Sequence, residues 1–252
     1  MILNNMEYLY LRTIDSTNNE LKNLLKQDQI PEFFAVRTSY QTAGRGQTGN
    51  TWESQDSKNL LFSFFIQPEE IAVDKQFVIS EMISLAIVES IRKITRKNFN
   101  PQLLKIKWPN DIYYGDQKLG GILIENSLKG NKIMTSVIGC GINVNQKIFT
   151  SDAPNPVSIS NITGLPTRKV LLMDNIISIF KDIYFNSSEN KIHQQYLENL
   201  YRLQEWHQFR NEAGEFTAKI IEVKSDGALV LETKSAEIRN YYFKEIEFVI
   251  NP

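Results

Sequence analysis

The segment from Tyr40 to Trp52 combines several glycines with one arginine, Arg45, and is almost free of apolar residues before Trp52. Glycines at this density let a backbone adopt positive φ angles and approach a ligand closely. Consecutive backbone N–H groups then form an anion-binding concavity, in which an arginine supplies a fixed, forked positive charge. The segment therefore predicts an anion-binding loop. A mobile hairpin loop that needs glycine only to turn is the alternative.

Polar side chains also flank a predicted β-hairpin in the middle of the chain, namely Lys107, Asn110, Asp111 and Lys118. Pro109 biases the residue before it away from helix, so the amide and the carboxylate lie at a fixed turn. Gly120 and Gly121 permit close approach to the hairpin. A carboxylate, an amide and two amines in this arrangement suit a nucleotide with a metal-bound phosphate. A plain hairpin with turn-forming Asn and Asp and solvated lysines is the alternative.

The predicted buried strand at 132–145 carries Gly139 and Gly141 on either side of the single cysteine, Cys140. Glycine inside a strand marks backbone that another group approaches closely. Cys140 is predicted to be a small core residue and not a nucleophile, because no base adjoins it in sequence. Asn143 either donates to a ligand or only ends the strand.

Apolar periodicity predicts the elements that position these residues. Strands are predicted at 6–14, 33–39, 59–66, 104–114 and 118–125, and helices are predicted after Asp15, after Asp74 and at about 167–184 and 190–203. Ser16 or Thr17 is predicted to cap the first helix and Asp74 the second, since their side-chain oxygens accept from first-turn N–H groups. The junction between the first strand and the first helix also presents free hydroxyls and N–H groups to an anionic or amide ligand.

From about residue 208 the sequence changes to short strand-like runs with a tight Asp226-Gly227 turn, as in a small barrel. We place a domain boundary here, which gives a main domain at 1–207 and a small domain at 208–252. The small domain has too few residues for a large core, so we expect it to lean on the main one.

Composition limits the classes of function. Lys+Arg 28 against Asp+Glu 29 gives a formal net charge of -1, which argues against a protein that chiefly binds nucleic acid. No apolar run approaches the ~20 residues that span a bilayer, and the N-terminus lacks the pattern of a signal peptide. These features predict a cytoplasmic protein that does not bind membranes. Two histidines and one cysteine leave little material for a zinc site.

Four motifs occur in order: Gly-Arg-Gly-Gln-Thr-Gly-Asn-Thr-Trp at 44–52, Lys-Trp-Pro-Asn-Asp at 107–111, Lys-Leu-Gly-Gly-Ile-Leu at 118–123 and Gly-Cys-Gly-Ile-Asn at 139–143. With Asp-Ser-Thr-Asn at 15–18, the set resembles the biotin protein ligases over nearly the whole chain. The resemblance implies an α/β (α+β) fold, with a class II synthetase-like catalytic domain on a mixed sheet and a small SH3-like C-terminal β-barrel.

The resemblance also implies the reaction. Biotin and ATP, with Mg²⁺, would give biotinyl-5′-AMP and pyrophosphate. A lysine of a biotin carboxyl carrier domain, such as that of acetyl-CoA carboxylase, would then accept the biotinyl group. The protein partner is therefore expected to be a carboxylase carrier domain, with no nucleic acid and no membrane involved.

The resemblance further implies roles for individual residues. It implies biotin-binding roles for Ser16, Thr17, Gln41, Gly44, Arg45, Lys118, Gly121 and Gly139. It implies ATP- or adenylate-binding roles for Gly46, Trp52, Lys107, Asn110, Asp111 and Asn143. Arg45, Lys118 and Asp111 are implied to be catalytic, because the two cations would neutralise developing negative charge and Asp111 would hold Mg²⁺. Either Asp111 or the adenylate phosphate would assist deprotonation of the acceptor lysine.

The chain departs from this family in two ways. Many members carry more arginines in the loop, where this chain has Gln47, Thr48 and Asn50. We expect the less basic loop to retain the adenylate less tightly. Some members also carry a winged-helix DNA-binding domain at the N-terminus. About fifteen residues precede Ser16, too few for such a module, so transcriptional repression is not expected.

Two alternative functions stay open from the sequence. Lipoate–protein ligases share the fold and the adenylation chemistry, although hydroxyls and Gln41 suit the polar ureido ring of biotin. A non-catalytic module that uses the small barrel to bind protein or nucleic acid is the second alternative. The charge balance and the lack of interleaved basic and aromatic residues in 208–252 argue against nucleic acid. A monomer and a homodimer are both compatible with the sequence.

Overall fold

A computed structural model describes residues 7–27, 29–47, 49–95, 97–150 and 155–250. The sequence at 152–156 is also predicted to be a loop. Its residues 152–154, and Thr48 of the glycine-rich loop at 40–52, lie outside the described residues. Within them, the chain forms two β-sheets, one of seven strands and one of five.

The larger sheet consists of β1 (Tyr8–Ile14), β2 (Ala35–Gln41), β3 (Leu60–Ile66), β4 (Leu104–Lys107), β5 (Asp111–Tyr114), β6 (Gln117–Lys129) and β7 (Lys132–Ile142). The strand order is β1-β2-β3-β7-β6-β5-β4. Because β1 and β2 run parallel and the other neighbours antiparallel, the sheet is mixed, as expected. β3 is buried along its whole length, which agrees with its nearly continuous apolar sequence.

Helices cover the sheet and connect its strands: α1 (Thr17–Gln27), α2 (Phe77–Ile94), α3 (Ile159–Thr163), α4 (Lys169–Asn186) and α5 (Glu189–Glu198). The prediction that Asp74 caps α2 is wrong. Asp74 lies in a 3₁₀ turn at Val73–Lys75, and α2 follows Gln76 without a side-chain cap. Among the described residues, no helix is both long and apolar enough to span a bilayer.

The second sheet lies at the C-terminus and consists of β8 (Trp206–Asn211), β9 (Gly214–Val223), β10 (Leu229–Thr233), β11 (Ile238–Tyr241) and β12 (Glu247–Phe248). All of its neighbours are antiparallel, in the order β11-β10-β9-β8-β12. β8 was not predicted, because Phe209 is its one fully buried residue and the strand lacks apolar alternation. The division of the chain at residue 207 stays a prediction.

The small sheet packs on the main part through the Asp226-Gly227 turn. Trp108 Nε1 donates to the Gly227 carbonyl at 2.8 Å. Gly227 has a φ of +90°, and a Cβ there would lie 2.8 Å from the Phe77 ring. Since one hydrophobic core joins both sheets, the small sheet leans on the main part, as its size predicts.

Glu81 on α2 is a buried carboxylate whose Oε1 lies 2.7 Å from His193 Nδ1. Burial raises the pKa of Glu81 above its ordinary value of 4.5, and the hydrogen bond from His193 offsets this only in part. The native state therefore holds this proton more tightly than the unfolded chain does. The stabilisation by Glu81 is complete below pH 4.5 and is lost as the pH rises through the raised pKa.

We expect Glu81→Gln to remove this pH dependence, so that its urea midpoint falls less steeply than that of the wild type as the pH rises through this range. Urea unfolding at a series of pH values measures the effect. Glu89→Gln is the matched control, because Glu89 is an exposed carboxylate on the same helix α2 and is not among the charges that shift the pKa of Glu81. Parallel profiles for the wild type and Glu81→Gln would contradict the assignment.

Candidate active site

A cavity of about 860 Å³ opens between the glycine-rich loop, the larger sheet and the end of the small sheet. Every residue to which the sequence assigned a site role lines this cavity, except Gly44. Gly44 supports the loop instead. Its carbonyl accepts from the Trp52 N–H at 3.0 Å, and a Cβ at this position would lie 2.8 Å from the Trp52 carbonyl oxygen.

The register of the larger sheet explains the floor of the cavity. Asp111, Gly121 and Gly141 pair in one row across β5, β6 and β7, and Gly139 pairs with Ser63 in the next row on the same face. Residues two apart on a strand point to the same face of a sheet. The glycines at these positions therefore leave space above the sheet.

Two side chains use that space, one buried and one partly buried. Asn18 lies against Gly139, where a Cβ would overlap Asn18 Oδ1, and the Trp52 ring lies against Gly141, where a Cβ would be 2.5 Å from Trp52 Cε2. The prediction that Gly139 and Gly141 mark a close approach is confirmed. Trp52 Nε1 is buried and has no hydrogen-bond partner among the described residues, so it is a donor available to a ligand.

Hydroxyls and amides form a neutral polar cluster on one side of the cavity. The Thr17 N–H and hydroxyl donate to Gln41 Oε1 at 2.8 Å and 3.1 Å. Ser63 Oγ lies 2.7 Å from Thr17 Oγ1 and 2.5 Å from Asn18 Oδ1. Ser16, Thr17 and Asn18 are all buried. The cluster suits an uncharged ligand group that both donates and accepts hydrogen bonds.

Arg45 is held at the cavity wall by Glu125. Its Nη2 donates to Asn19 Oδ1 at 2.7 Å and lies 3.2 Å from Glu125 Oε2. Glu125 also accepts from Lys22 Nζ at 2.9 Å and from Asn18 Nδ2 at 2.7 Å. Desolvation opposes ionisation of Glu125, but the hydrogen bonds from Lys22 and Asn18 outweigh it and hold the pKa of Glu125 below its ordinary value. Glu125 is thus an ionised anchor for the glycine-rich loop.

Lysines supply positive charge on the other side of the cavity. Lys118 Nζ lies 2.7 Å from Asp111 Oδ1 and 5.9 Å from the centroid of the Trp52 ring. Desolvation lowers the pKa of the neighbouring Lys107, although the charge of Asp111 opposes this shift. Partly desolvated cations of this kind attract anions more strongly than solvated ones do, so this side suits phosphate or carboxylate groups.

The two asparagines with predicted roles differ in their surroundings. Asn110 Nδ2 donates to the Ile122 carbonyl at 2.6 Å, and the Ile122 N–H donates back to the Asn110 carbonyl at 2.9 Å, so Asn110 fixes the turn. Asn143 Oδ1 is buried and accepts no hydrogen bond from the described residues. A buried unsatisfied acceptor is uncommon in native proteins, and it marks Asn143 as a candidate ligand contact.

Sequence reasoning missed Asn18, Ser63 and Glu125. The sequence contained weak indications of two of them. Ser63 is the one polar residue of β3, and Glu125 is the last residue of the predicted strand that begins at Lys118. C-terminal residues that line the cavity, on β12 and in the segment before it, were also missed: Phe243, Ile246, Glu247 and Phe248.

The chain also carries one cysteine and two histidines. Cys140 is among the residues that line the cavity. Cys140 is buried, and burial raises the pKa of its thiol, which agrees with its predicted place in the core. His193 is bonded to Glu81 and His207 to Glu205, and neither histidine lines the cavity.

Asp111 is the residue predicted to hold Mg²⁺. Among the described residues, no three His, Cys, Asp or Glu side chains form a metal-binding group. Mg²⁺ that is bound mainly through substrate phosphates needs only one or two protein carboxylates. A single carboxylate in a cation-lined cavity fits that mode of binding.

Comparisons with known proteins agree with this geometry. The model of a family described as biotin/lipoate A/B protein ligase matches residues 10–143. The bifunctional ligase/repressor BirA of Bacillus subtilis is 26% identical over 249 residues, which cover 96% of this chain and 74% of that protein. A human biotin–protein ligase is 32% identical over 181 residues, 69% of this chain and 24% of that protein.

A solved structure is also similar along almost the whole chain. Biotin protein ligase from Aquifex aeolicus in complex with biotin and ATP superposes with a TM-score of 0.75 at 24% identity, covering 97% of this chain and 99% of that one. At this identity the likeness establishes the fold.

Proposed function

This chain belongs to the biotin/lipoate A/B protein ligase family, and we propose that it activates biotin with ATP and transfers the biotinyl group to a lysine of a carboxylase carrier domain. The named relatives support biotin as the acid, since the human relative is a biotin–protein ligase and the similar Aquifex structure holds biotin and ATP. The lipoate–protein ligase alternative is not favoured.

One observation carries the proposal: a single cavity joins a neutral polar cluster to a set of cations. Thr17 and Gln41 would bind the ureido ring of biotin, which both donates and accepts hydrogen bonds. Lys118 and Lys107 would bind the biotin carboxylate and the phosphates of ATP on the other side.

In the first step, a carboxylate oxygen of biotin attacks the α-phosphorus of ATP. The bond from that phosphorus to the oxygen bridging to the β-phosphate breaks, and pyrophosphate leaves with the electron pair. Two anions must come together, so Lys118 would neutralise charge that grows in the transition state. Arg45 would leave Glu125 or bridge to the phosphate when the loop closes, and closure would exclude water from the adenylate.

In the second step, the amine of the acceptor lysine attacks the acyl carbon of biotinyl-5′-AMP. An amide bond forms, the bond from the acyl carbon to the phosphate oxygen breaks, and AMP leaves. The lysine ammonium first loses one proton to solvent, and the amine loses a second as the amide forms, which either Asp111 or the adenylate phosphate would take. Asp111 already pairs with Lys118, which keeps its carboxylate in the cavity.

Asp111 would hold Mg²⁺ together with the phosphates. When bound, the ion would stabilise the negative charge of the leaving pyrophosphate.

Transfer to a carrier protein tests the proposal as a whole. Incubation with biotin, ATP and an apo biotin carboxyl carrier domain is expected to add one biotinyl group to the acceptor lysine, as read by mass spectrometry. A carrier with that lysine changed to arginine is the control. Unchanged mass of the intact carrier, or equal labelling of the arginine variant, would contradict it.

Gln47 lines the cavity beside Arg45, at a position where the loop is less basic than in many relatives. We expect Gln47→Arg to slow the release of biotinyl-5′-AMP about fivefold, because an added cation would pair with the phosphate. Release is measured by chasing labelled adenylate with unlabelled adenylate. Gln47→Met, of similar size and without charge, is the control, and equal release rates for both variants would refute the charge explanation.

The wider organisation also belongs to this proposal. The main unit at 1–207 would carry the chemistry and the unit at 208–252 would complete one wall of its site. The acceptor is proposed to be a carrier domain and not a nucleic acid or a membrane. A cytoplasmic location and the choice between monomer and homodimer stay predictions.

A further inference from the structure

The side chain of Lys107 lies where the two sheets meet. Of the residues that the structure describes, three cations line the cavity: Arg45, Lys107 and Lys118. Arg45 pairs with Glu125, and Lys118 pairs with Asp111. The Lys107 ammonium makes no hydrogen bond or ion pair with any residue that the structure describes, and Asp111, its partner across β4 and β5, is engaged by Lys118.

Two aromatic rings take the place of a carboxylate beside Lys107. Its Nζ lies 4.6 Å from the centroid of the Phe248 ring and 5.2 Å from that of Tyr113, both within the ~6 Å over which a cation is attracted to a ring face. Burial raises the pKa of Tyr113, so its phenol stays neutral. Desolvation disfavours the charge of Lys107, and the charge of Asp111 offsets this only in part. The two rings therefore add to the stabilisation of the ammonium.

Phe248 belongs to the other sheet and is firmly held there. It pairs with Phe209 of β8, and its ring meets the Phe209 ring edge-on at 5.1 Å and the Tyr201 ring at 6.2 Å. Arg202 Nη1 donates to the carbonyl of the next residue, Val249, at 3.1 Å. The ring is therefore a fixed surface against which the flexible lysine side chain rests.

We propose that Phe248 is a positioning residue for ATP: with Tyr113 it holds the Lys107 ammonium, unpaired, against the phosphates. This inference rests on the proposed function only for the identity of the nucleotide. A carboxylate beside Lys107 would compete with the incoming phosphate, whereas a ring face stabilises the charge and does not compete. The small sheet thereby contributes to the nucleotide site through a residue that does not itself contact the reacting atoms.

The affinity for ATP is the direct readout, measured by equilibrium titration without turnover. We expect Phe248→Leu to raise the Kd for ATP about tenfold through loss of the ring face, and to leave the Kd for biotin unchanged. Phe248→Tyr keeps the ring and is expected to restore most of the affinity. In a Lys107→Met background, Phe248→Leu is expected to add no further loss, because the cation that the ring holds is gone.

Phe216→Leu is the matched control. Phe216 is a partly buried phenylalanine of the same sheet that also lies near a cation, Arg239 at 5.3 Å, but it does not line the cavity. Thermal unfolding of all variants separates binding loss from unfolding. Two results would overturn the inference. One is that Phe248→Leu lowers the ATP affinity as much in the Lys107→Met background as in the wild type, and the other is that Phe248→Leu lowers the affinities for ATP and biotin equally.

These titrations also keep the two proposals apart. Biotin-dependent turnover by the wild type decides the proposed function. The dependence of ATP binding on Phe248 through Lys107 is decided by the Kd values alone, whichever acid the wild type activates.

Discussion

Lys118→Ala is expected to lower the rate of biotin adenylation by about 10²–10³, the usual effect of removing one group that stabilises transition-state charge. Lys118 lies inside the cavity, 2.7 Å from Asp111. The substitution removes a cation and leaves the Asp111 carboxylate without this partner. That carboxylate would then lie close to the biotin carboxylate and the phosphates of ATP. Both changes oppose the approach of the biotin carboxylate to ATP. Biotin-dependent pyrophosphate release measures the rate.

Lys219→Ala is the matched control for this prediction. Lys219 pairs with Glu232 at 3.2 Å and has a side-chain exposure of 23%, against 26% for Lys118. It lies in the small sheet, away from the cavity. We expect the control to keep the wild-type rate. Comparable rates for the two alanine variants would contradict the role of Lys118.

Gly139→Ala is expected to disable biotin binding, with at least a tenfold rise in KM for biotin and a loss of about 1–3 kcal/mol of stability from overpacking. The new methyl group would overlap Asn18 Oδ1. Asn18 has no free direction to move, because it is bonded to Ser63, to the Leu123 carbonyl and to Glu125. Its displacement would also disturb Thr17, the preceding residue, with which α1 begins.

Asn18→Ala tests whether this overlap is the cause. If it is, the double variant Gly139→Ala/Asn18→Ala is more stable than the sum of the two single changes predicts, since the methyl group then has room. Thermal unfolding of the four proteins gives the comparison. Simple additivity would show that the damage at Gly139 arises elsewhere.

Local patterns in the sequence predicted most of the larger sheet, because its strands alternate or are continuously apolar. They also predicted the close approaches at Gly139 and Gly141, because a glycine inside a strand has few other uses. The same patterns failed for the cap of α2. A 3₁₀ turn precedes that helix, and nothing in the local sequence distinguishes such a turn from the first turn of an α-helix.

Partners across long sequence distances could not be predicted in this way. Arg45 and Glu125 are 80 residues apart, and only the register of the sheet brings Glu125 to the loop. Phe248 is still further from Lys107, and it reaches the cavity because the Gly227 turn docks the small sheet onto Trp108 and Phe77. Residue types indicated the chemistry, but tertiary packing decides which charges are paired and which stay available.

Pyrophosphate release from ATP, measured with biotin, with lipoate and with no added acid, tests the central claim most directly. The cavity geometry predicts that pyrophosphate is released when biotin is the added acid. Little release is expected with lipoate or with no added acid. Release with lipoate in place of biotin would assign the chain to the lipoate branch of its family. No pyrophosphate release with any acid would leave the family fold in place and would contradict the adenylation chemistry proposed for it.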